Sequence, residues 1–340
     1  MNIKEVAQLA GVSTATVSRT INGSDKVTPE TAELVRKAIE RLRYFPNTNA
    51  QALGSGRSSL YGLIISDITN PFFPELVKSF EDLAIKSGLD VLVSNTDYDP
   101  QRTEHCIARL LQRKVDGVAI MTTEMESGLI EEFSRRQIPL VFLDTARPQR
   151  NVSTVSVDYA AGIDAAIEHL YTLGHRRVAF IRGSSKHKSS QMRLDAFKKS
   201  MRARKLALAA EDIVVGDHTM DGGFTAMQQL LAHQKIPQAV ICSNDLTAIG
   251  ALGAIHRTGL RVPKDISLVG FDDITMSAYT EPPLTTIHLS RSAIAHAAFT
   301  ALRNHGNRNQ KREQVIHPEL VIRGTTAKPA EKNKKLPAKQ

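Results

Sequence analysis

The stretch from Ala10 to Asn22, AGVSTATVSRTIN, carries hydroxyls, methyl groups and one guanidinium, and no carboxylate. Groups of this kind hydrogen-bond phosphates, touch thymine methyls and, for arginine, pair bidentately with guanine. On a helix turning about 100° per residue, Val17 and Ile21 fall on one side, with Ala15, Ser18 and Arg19 opposite and Thr16 at the edge. The apolar side can dock, which leaves the small polar side free for a partner.

Flanking signals supply the elements that would hold this helix. Ile3, Val6, Ala7 and Ala10 follow the amphipathic helical spacing, and Gly11 ends that helix. Ser13 can cap the next. Thr28 and Pro29 form an N-cap and first-turn pair for a third helix, whose Leu34, Val35, Ala38, Ile39 and Leu42 make one apolar stripe. The pattern alone leaves two readings open, a helix-turn-helix that reads DNA and a generic three-helix bundle.

The texture then changes. PNTNAQAL from Pro46 to Leu53 gives way to GSGRSS, which is flexible linker chemistry and marks a domain boundary. From Leu60 onward, apolar runs (60–66, 89–95, 115–122, 139–144, 152–158, 177–183, 213–216, 239–243 and 266–271) alternate with amphipathic segments (73–87, 101–113, 160–173, 190–204, 222–233 and 246–258). Such alternation predicts βαβ units and parallel sheets, and about ten strands divide more naturally into two doubly wound sheets than one. Open α/β sheets bind ligands beyond the carboxyl ends of their strands, so the loops there are where a site is expected.

Composition narrows the function. The chain has 340 residues, a formal net charge of +9 and no apolar run of the roughly 20 residues that span a bilayer. Lys4 and Glu5 interrupt what would be the apolar core of a signal peptide, so a cytoplasmic location with no membrane association is expected. Basic groups exceed acidic ones by three in residues 1–60 and by four in residues 328–340, which places the excess at the two ends and suits a polyanionic partner. Cys106 and Cys242 are far apart and form no CxxC pair, and the eleven histidines are scattered, so no metal site is expected. GSGRSS lacks the Gly-Lys-Ser/Thr ending of a phosphate loop, and neither HExxH nor GxSxG occurs. No enzyme and no cofactor are expected.

A series of blocks in order carries a more specific signal: IKEVAQLAGVSTATVSRTING, RYFPNTNAQAL, YGLIISDITNPFFPEL, RKVDGVAIM, IPLVFLD, SNDLTAIGAL, VPKDISLVGFDDI and PPLTTIH. Together, over residues 2 to about 326, they closely resemble the lactose-repressor/galactose-repressor (LacI/GalR) family of bacterial transcription regulators. The resemblance implies a small all-α helix-turn-helix domain (1–45), a hinge helix and linker (46–59) and an α/β two-lobed domain like periplasmic sugar-binding proteins (60–326). Lobe 1 would comprise about 60–158 and 290–317, and lobe 2 about 159–288 and 318–326, with a disordered basic tail at 327–340. It further implies a dimer on near-palindromic operator DNA under the control of a small-molecule effector, most naturally a sugar or sugar derivative. Bases would face Thr14, Ala15, Thr16 and Arg19, phosphates Ser13 and Asn22, and the hinge would use Asn47, Ala50 and a minor-groove wedge at Leu53. At 51 and 52 the chain carries Gln and Ala, where Arg and Ser are frequent in the family.

Effector contacts carried over from the family are Phe72, Phe73, Asp144, Arg193, His218, Asn244 and Asp272, with His218 standing where relatives often place an aromatic ring. Planar Asn, Asp and Arg groups satisfy paired hydroxyls while an aromatic face packs on a sugar ring. Two rival functions make different predictions. A transport-type solute-binding protein calls for a signal peptide and no N-terminal helices, and an architectural DNA protein calls for a cleft without convergent polar groups.

Overall fold

The computed structural model describes residues 1–45, 57–121, 132–133, 135–144, 151–185, 187–305 and 312–330. The chain divides into two compact units, Met1–Leu60 with Arg113–Asp116, and Tyr61–Gln112 with Gly117–Gln340.

The first unit opens with three helices, α1 (Ile3–Ala10), α2 (Thr14–Ile21) and α3 (Pro29–Leu42). Each start is capped by a side chain. Asn2 accepts from the Lys4 and Glu5 amides, Ser13 from Thr16 at 3.1 Å and Thr28 from Thr31 at 3.3 Å. Gly11 adopts φ 68°, the left-handed turn that lets α1 stop and the chain redirect into α2. Val6, Val17 and Val35, one from each helix, are wholly buried and form the centre of the core with Ala7 and Ala38. Leu34 departs from the expected stripe and is 55% exposed. At helical pitch it sits about 100° from Val35, on the far side from Ile39, so it cannot share the inward face.

The second unit contains two six-stranded sheets. The first comprises β1 (Leu60–Ile65), β2 (Asp90–Asn95), β3 (Gly117–Met121), β4 (Leu140–Leu143), β5 (Val152–Val157) and β11 (Glu313–Ile316), in the order β11-β5-β4-β3-β1-β2. The second comprises β6 (Val178–Arg182), β7 (Ile213–Val215), β8 (Ala239–Cys242), β9 (Ser267–Asp272), β10 (Thr285–His288) and β12 (Glu319–Val321), in the order β12-β10-β9-β8-β6-β7. The pairs β1–β3, β3–β4, β4–β5, β5–β11, β6–β7, β6–β8, β8–β9 and β9–β10 are parallel, and the β10–β12 edge is antiparallel. β3, β4 and β8 are buried at every position, as strands covered by helices on both faces must be.

We call the body around the first sheet lobe 1 and that around the second lobe 2. Lobe 1 holds α4 (Phe72–Lys86) and α5 (Pro100–Gln112). Lobe 2 holds α6 (Tyr159–Leu173), α7 (Lys188–Ala203), α8 (Met220–Leu231) and α9 (Asp245–Arg257). The chain returns to lobe 1 through α10 (Arg291–Arg303), which packs on α4, β3, β4 and β5. It therefore passes between lobes three times, at Asp158, at Leu289–Ser290 and at His317–Pro318.

β10, β11 and β12 are absent from the apolar runs of the sequence, for physical reasons. β10 is buried yet begins with two threonines, whose hydroxyls bond Asp245 and Thr326. β11 and β12 are edge strands with partly exposed, charged residues. Cys106 and Cys242 are both free and buried, and burial pushes the Cys242 thiol up. No helix among the described residues is long and apolar enough to cross a membrane.

Candidate functional site

In both sheets the strand order reverses next to the first strand, between β1 and β3 in lobe 1 and between β6 and β8 in lobe 2. Loops leaving the carboxyl ends of neighbouring strands diverge at such a point and open a crevice. A cavity lies there, lined from lobe 1 by Ser66, Asn70, Phe72, Phe73, Tyr98, Met121 and Leu143, and from lobe 2 by Tyr159, Ser189, Arg193, His218, Asn244 and Asp272, with Leu289 at a crossing. Six of the seven effector residues expected from sequence meet in this one place.

The lobe 1 wall is largely apolar. Phe72 and Phe73 begin α4, and their rings meet edge to face at 5.3 Å, both almost fully buried. The Asn70 side chain accepts from the Phe72 amide at 3.1 Å, so the turn before the helix fixes where the rings emerge.

The lobe 2 wall is polar and built around Arg193, which projects from the first turns of α7 and is 7% exposed. Its guanidinium lies 4.3 Å from the centroid of the Phe271 ring and 5.0 Å from that of Tyr159. Nη1 donates to the Ser243 carbonyl at 2.9 Å, Nη2 stands 3.5 Å from Asp272 Oδ1, and Nε is buried without a partner among the described residues. Asp272 is 5% exposed at the end of β9, and burial raises its carboxyl to about 6 against the opposing pull of Arg193 and Arg291.

Asn244 caps α9. Its Oδ1 accepts from the Thr247 amide and its Nδ2 donates to the His218 carbonyl, both at 3.0 Å, which ties two strand-end loops together. His218 has φ 71°, and its Nε2 is buried with no partner among the described residues. The ring tip rests against Gly183, where any Cβ would collide with it, so glycine is what admits the imidazole. Burial, reinforced by Arg193 and His187, lowers its pKa to about 3, so the ring is neutral at physiological pH.

Asp144 stands apart from the cavity lining. Its carboxylate accepts from the Val157 amide and the Tyr159 hydroxyl, each at 2.7 Å. It therefore holds Tyr159, which in turn lies beside Arg193. Tyr159 was missed by sequence reasoning, although it follows β5 directly and the loops beyond strand ends were the places to search. Ser66, Asn70, Tyr98, Met121, Leu143 and Leu289 share that same signal, a position at a strand's carboxyl end or in the loop after it, while Ser189 lies in the first turn of α7.

In the first unit, Thr14, Ala15, Arg19 and Asn22 are exposed, and Thr16 is half-buried. The Ser13 hydroxyl is occupied in capping α2 and contacts Thr16 Oγ1 at 2.9 Å. Asn47, Ala50 and Leu53 of the expected hinge lie outside the described residues.

A helix-turn-helix unit joined to a two-lobed chamber defines a class, the DNA-binding regulator with a built-in small-molecule sensor. Residues 2–47 match the model of the lacI family of bacterial regulatory proteins, and residues 167–326 match the periplasmic binding protein-like domain. Over 324 residues the chain is 34% identical to the HTH-type transcriptional repressor PurR of Histophilus somni (strain 129Pt), covering 94% of this chain and 97% of that one. A PurR of Actinobacillus pleuropneumoniae serotype 3 (strain JL03) is 35% identical over 325 residues, with the same coverage. Among solved structures, the lac repressor dimer bound to operator and the anti-inducer ONPF superposes with a TM-score of 0.86 at 30% identity, covering 96% of this chain and 99% of that one. The transcriptional regulator CelR–cellobiose complex gives a TM-score of 0.72 at 28% identity, with the same coverage. The chain belongs to the lacI family of bacterial regulatory proteins.

Proposed function

We propose that this lacI-family protein is a cytoplasmic, non-enzymatic transcriptional repressor that binds a near-palindromic operator as a dimer and answers to a sugar-like effector held between its lobes. The observation that carries the reading is the convergence of an aromatic pair from lobe 1 with Arg193, His218, Asn244 and Asp272 from lobe 2 on one cavity. The relatives named above are repressors, and two structural neighbours hold an operator with an anti-inducer and a cellobiose molecule.

In this account residues 1–45 read DNA, 46–59 form the hinge and 60–326 form the sensor. Arg19 supplies bidentate base recognition, Thr14 and Thr16 hydrogen-bond base edges, Ala15 offers a methyl contact, and Ser13 and Asn22 approach phosphates. Asn47 and Ala50 contact the backbone while Leu53 wedges into the minor groove. The Phe72 and Phe73 rings pack on the apolar face of the effector, and the lobe 2 groups bond its hydroxyls. Asp144 acts through Tyr159. Effector binding alters the relation of the lobes, and a coupling of about 1–3 kcal/mol changes hinge folding and operator affinity.

Selection of operator sequences from a random library with the full chain, followed by titration with a panel of mono- and disaccharides, tests this. A two-fold symmetric consensus whose affinity shifts with one compound is the expected result. An asymmetric consensus, or affinity indifferent to every compound, contradicts it.

A further inference from the structure

The carboxylate of Asp272 makes no close hydrogen bond among the described residues; its nearest charged partner is Arg193 Nη2 at 3.5 Å. Its aim is therefore set by its backbone, and that backbone is unusual, with φ 109° at Asp272 and 56° at Asp273. Non-glycine residues in this region persist only where the surroundings hold them.

Lobe 2 holds part of this segment. Asp245 Oδ2 accepts from the Ile274 amide at 2.8 Å, and Asp273 is gripped by Arg323 at 2.6 Å and His288 at 2.9 Å. Asp272 also pairs with His288 of β10, and the Leu289 amide donates to its carbonyl at 3.3 Å. Further restraints come from lobe 1 elements. Arg291, at the start of α10, donates from Nη1 to the Asp272 carbonyl. Glu75, on α4 just after Phe72 and Phe73, accepts at Oε2 from Arg291 Nε at 3.1 Å and Nη2 at 2.8 Å. Its other oxygen accepts from the Thr275 amide at 3.2 Å and hydroxyl at 2.9 Å. One carboxylate in lobe 1 thus holds Thr275 directly and Asp272 through Arg291.

We infer that Glu75, acting with Arg291, is a positioning residue that steadies the aim of Asp272 into the cavity when the lobe 1 helix carrying the aromatic pair is seated against lobe 2. The inference rests on the cavity being the effector site, and it makes recognition by the polar wall conditional on closure around the apolar one. Charge-assisted bonds of this kind are the strong ones, and Arg291 offers the planar fork that a lysine lacks.

Hydrogen exchange of the full-length chain, read by mass spectrometry without any added compound, tests it independently of effector identity. In Glu75→Gln and in Arg291→Met, exchange across residues 272–276 should rise roughly tenfold, while the amides of α4 and of residues 267–271 in β9 keep their protection. Arg291→Lys should recover part of that protection. Unchanged exchange at 272–276 in either variant, or a rise spread evenly through both lobes, overturns the inference. Titration with cellobiose and D-ribose is a separate arm. If neither binds the wild-type chain, the sugar reading of the effector fails while the exchange result still decides the positioning role. If either binds, its Kd should rise about tenfold in Glu75→Gln.

Discussion

The two walls of the cavity are built by opposite means. Lobe 1 presents Phe72, Phe73, Met121 and Leu143, held by packing within a large apolar cluster. Lobe 2 presents Arg193, His218, Asn244 and Asp272, held by hydrogen bonds, a glycine-shaped recess at Gly183 and two residues at positive φ. An apolar wall tolerates small shifts because dispersion is spread over many contacts, whereas a buried polar wall depends on each partner being present. The difference predicts that single polar replacements in lobe 2 change the protein most, and it can be broken at graded points.

The largest effect is expected at Arg193. Arg193→Met leaves Asp272 buried without its counter-charge and the Ser243 carbonyl without a donor, so stability at pH 8 should fall by about 3–5 kcal/mol in urea unfolding. Loss of effector response should accompany it. A comparable loss from Phe72→Leu would erase the proposed contrast between the walls.

Next is Asp272, whose carboxyl is raised from an ordinary 3.8 to about 6. Between these values the folded chain binds more protons than the unfolded one, so this group's contribution to stability is greatest below about pH 4 and is lost as pH rises through about 6. The full swing is about 3 kcal/mol. Asp272→Asn should remove it, so that the stability difference between variant and wild type moves in the variant's favour from pH 4 to pH 6.5. A difference independent of pH would show the carboxyl to be unperturbed.

The helix α2, proposed to read DNA, differs from both walls, because Thr14, Ala15 and Arg19 are exposed and its hold on the fold is Val17. Arg19→Ala should weaken operator binding by about 1–3 kcal/mol while leaving the melting temperature within error. The smallest effect is expected for Ser13→Ala, which removes the cap of α2 and should cost about 1 kcal/mol in the stability of the first unit.

Legibility follows the same division. The capping residues Ser13 and Thr28, the turn at Gly11 and the buried strands could be read locally, since propensity and periodicity act over a few positions. Leu34 was misplaced because a five-residue stripe is wider than the face the small core can cover. β10 was invisible because its threonines are buried only by virtue of partners such as Asp245, far away in the chain. The cavity residues Phe72, Phe73, Arg193, His218, Asn244 and Asp272 were named by resemblance to a family, and their chemistry suits a polar ligand. What no local pattern could supply was Tyr159 beneath Arg193, Asp144 turned toward Tyr159, or Glu75 reaching Thr275, since each depends on which loops the topology brings together.

The central claim is that a small molecule in this cavity governs operator binding by the N-terminal helices. Fluorescence anisotropy with the selected operator, titrated with the active compound in wild-type and Arg193→Ala chains, addresses it most directly. The account predicts that operator Kd shifts by about 5- to 150-fold in the wild type and stays constant in the variant, which still binds DNA. An equal shift in both chains would place the controlling site elsewhere and contradict it.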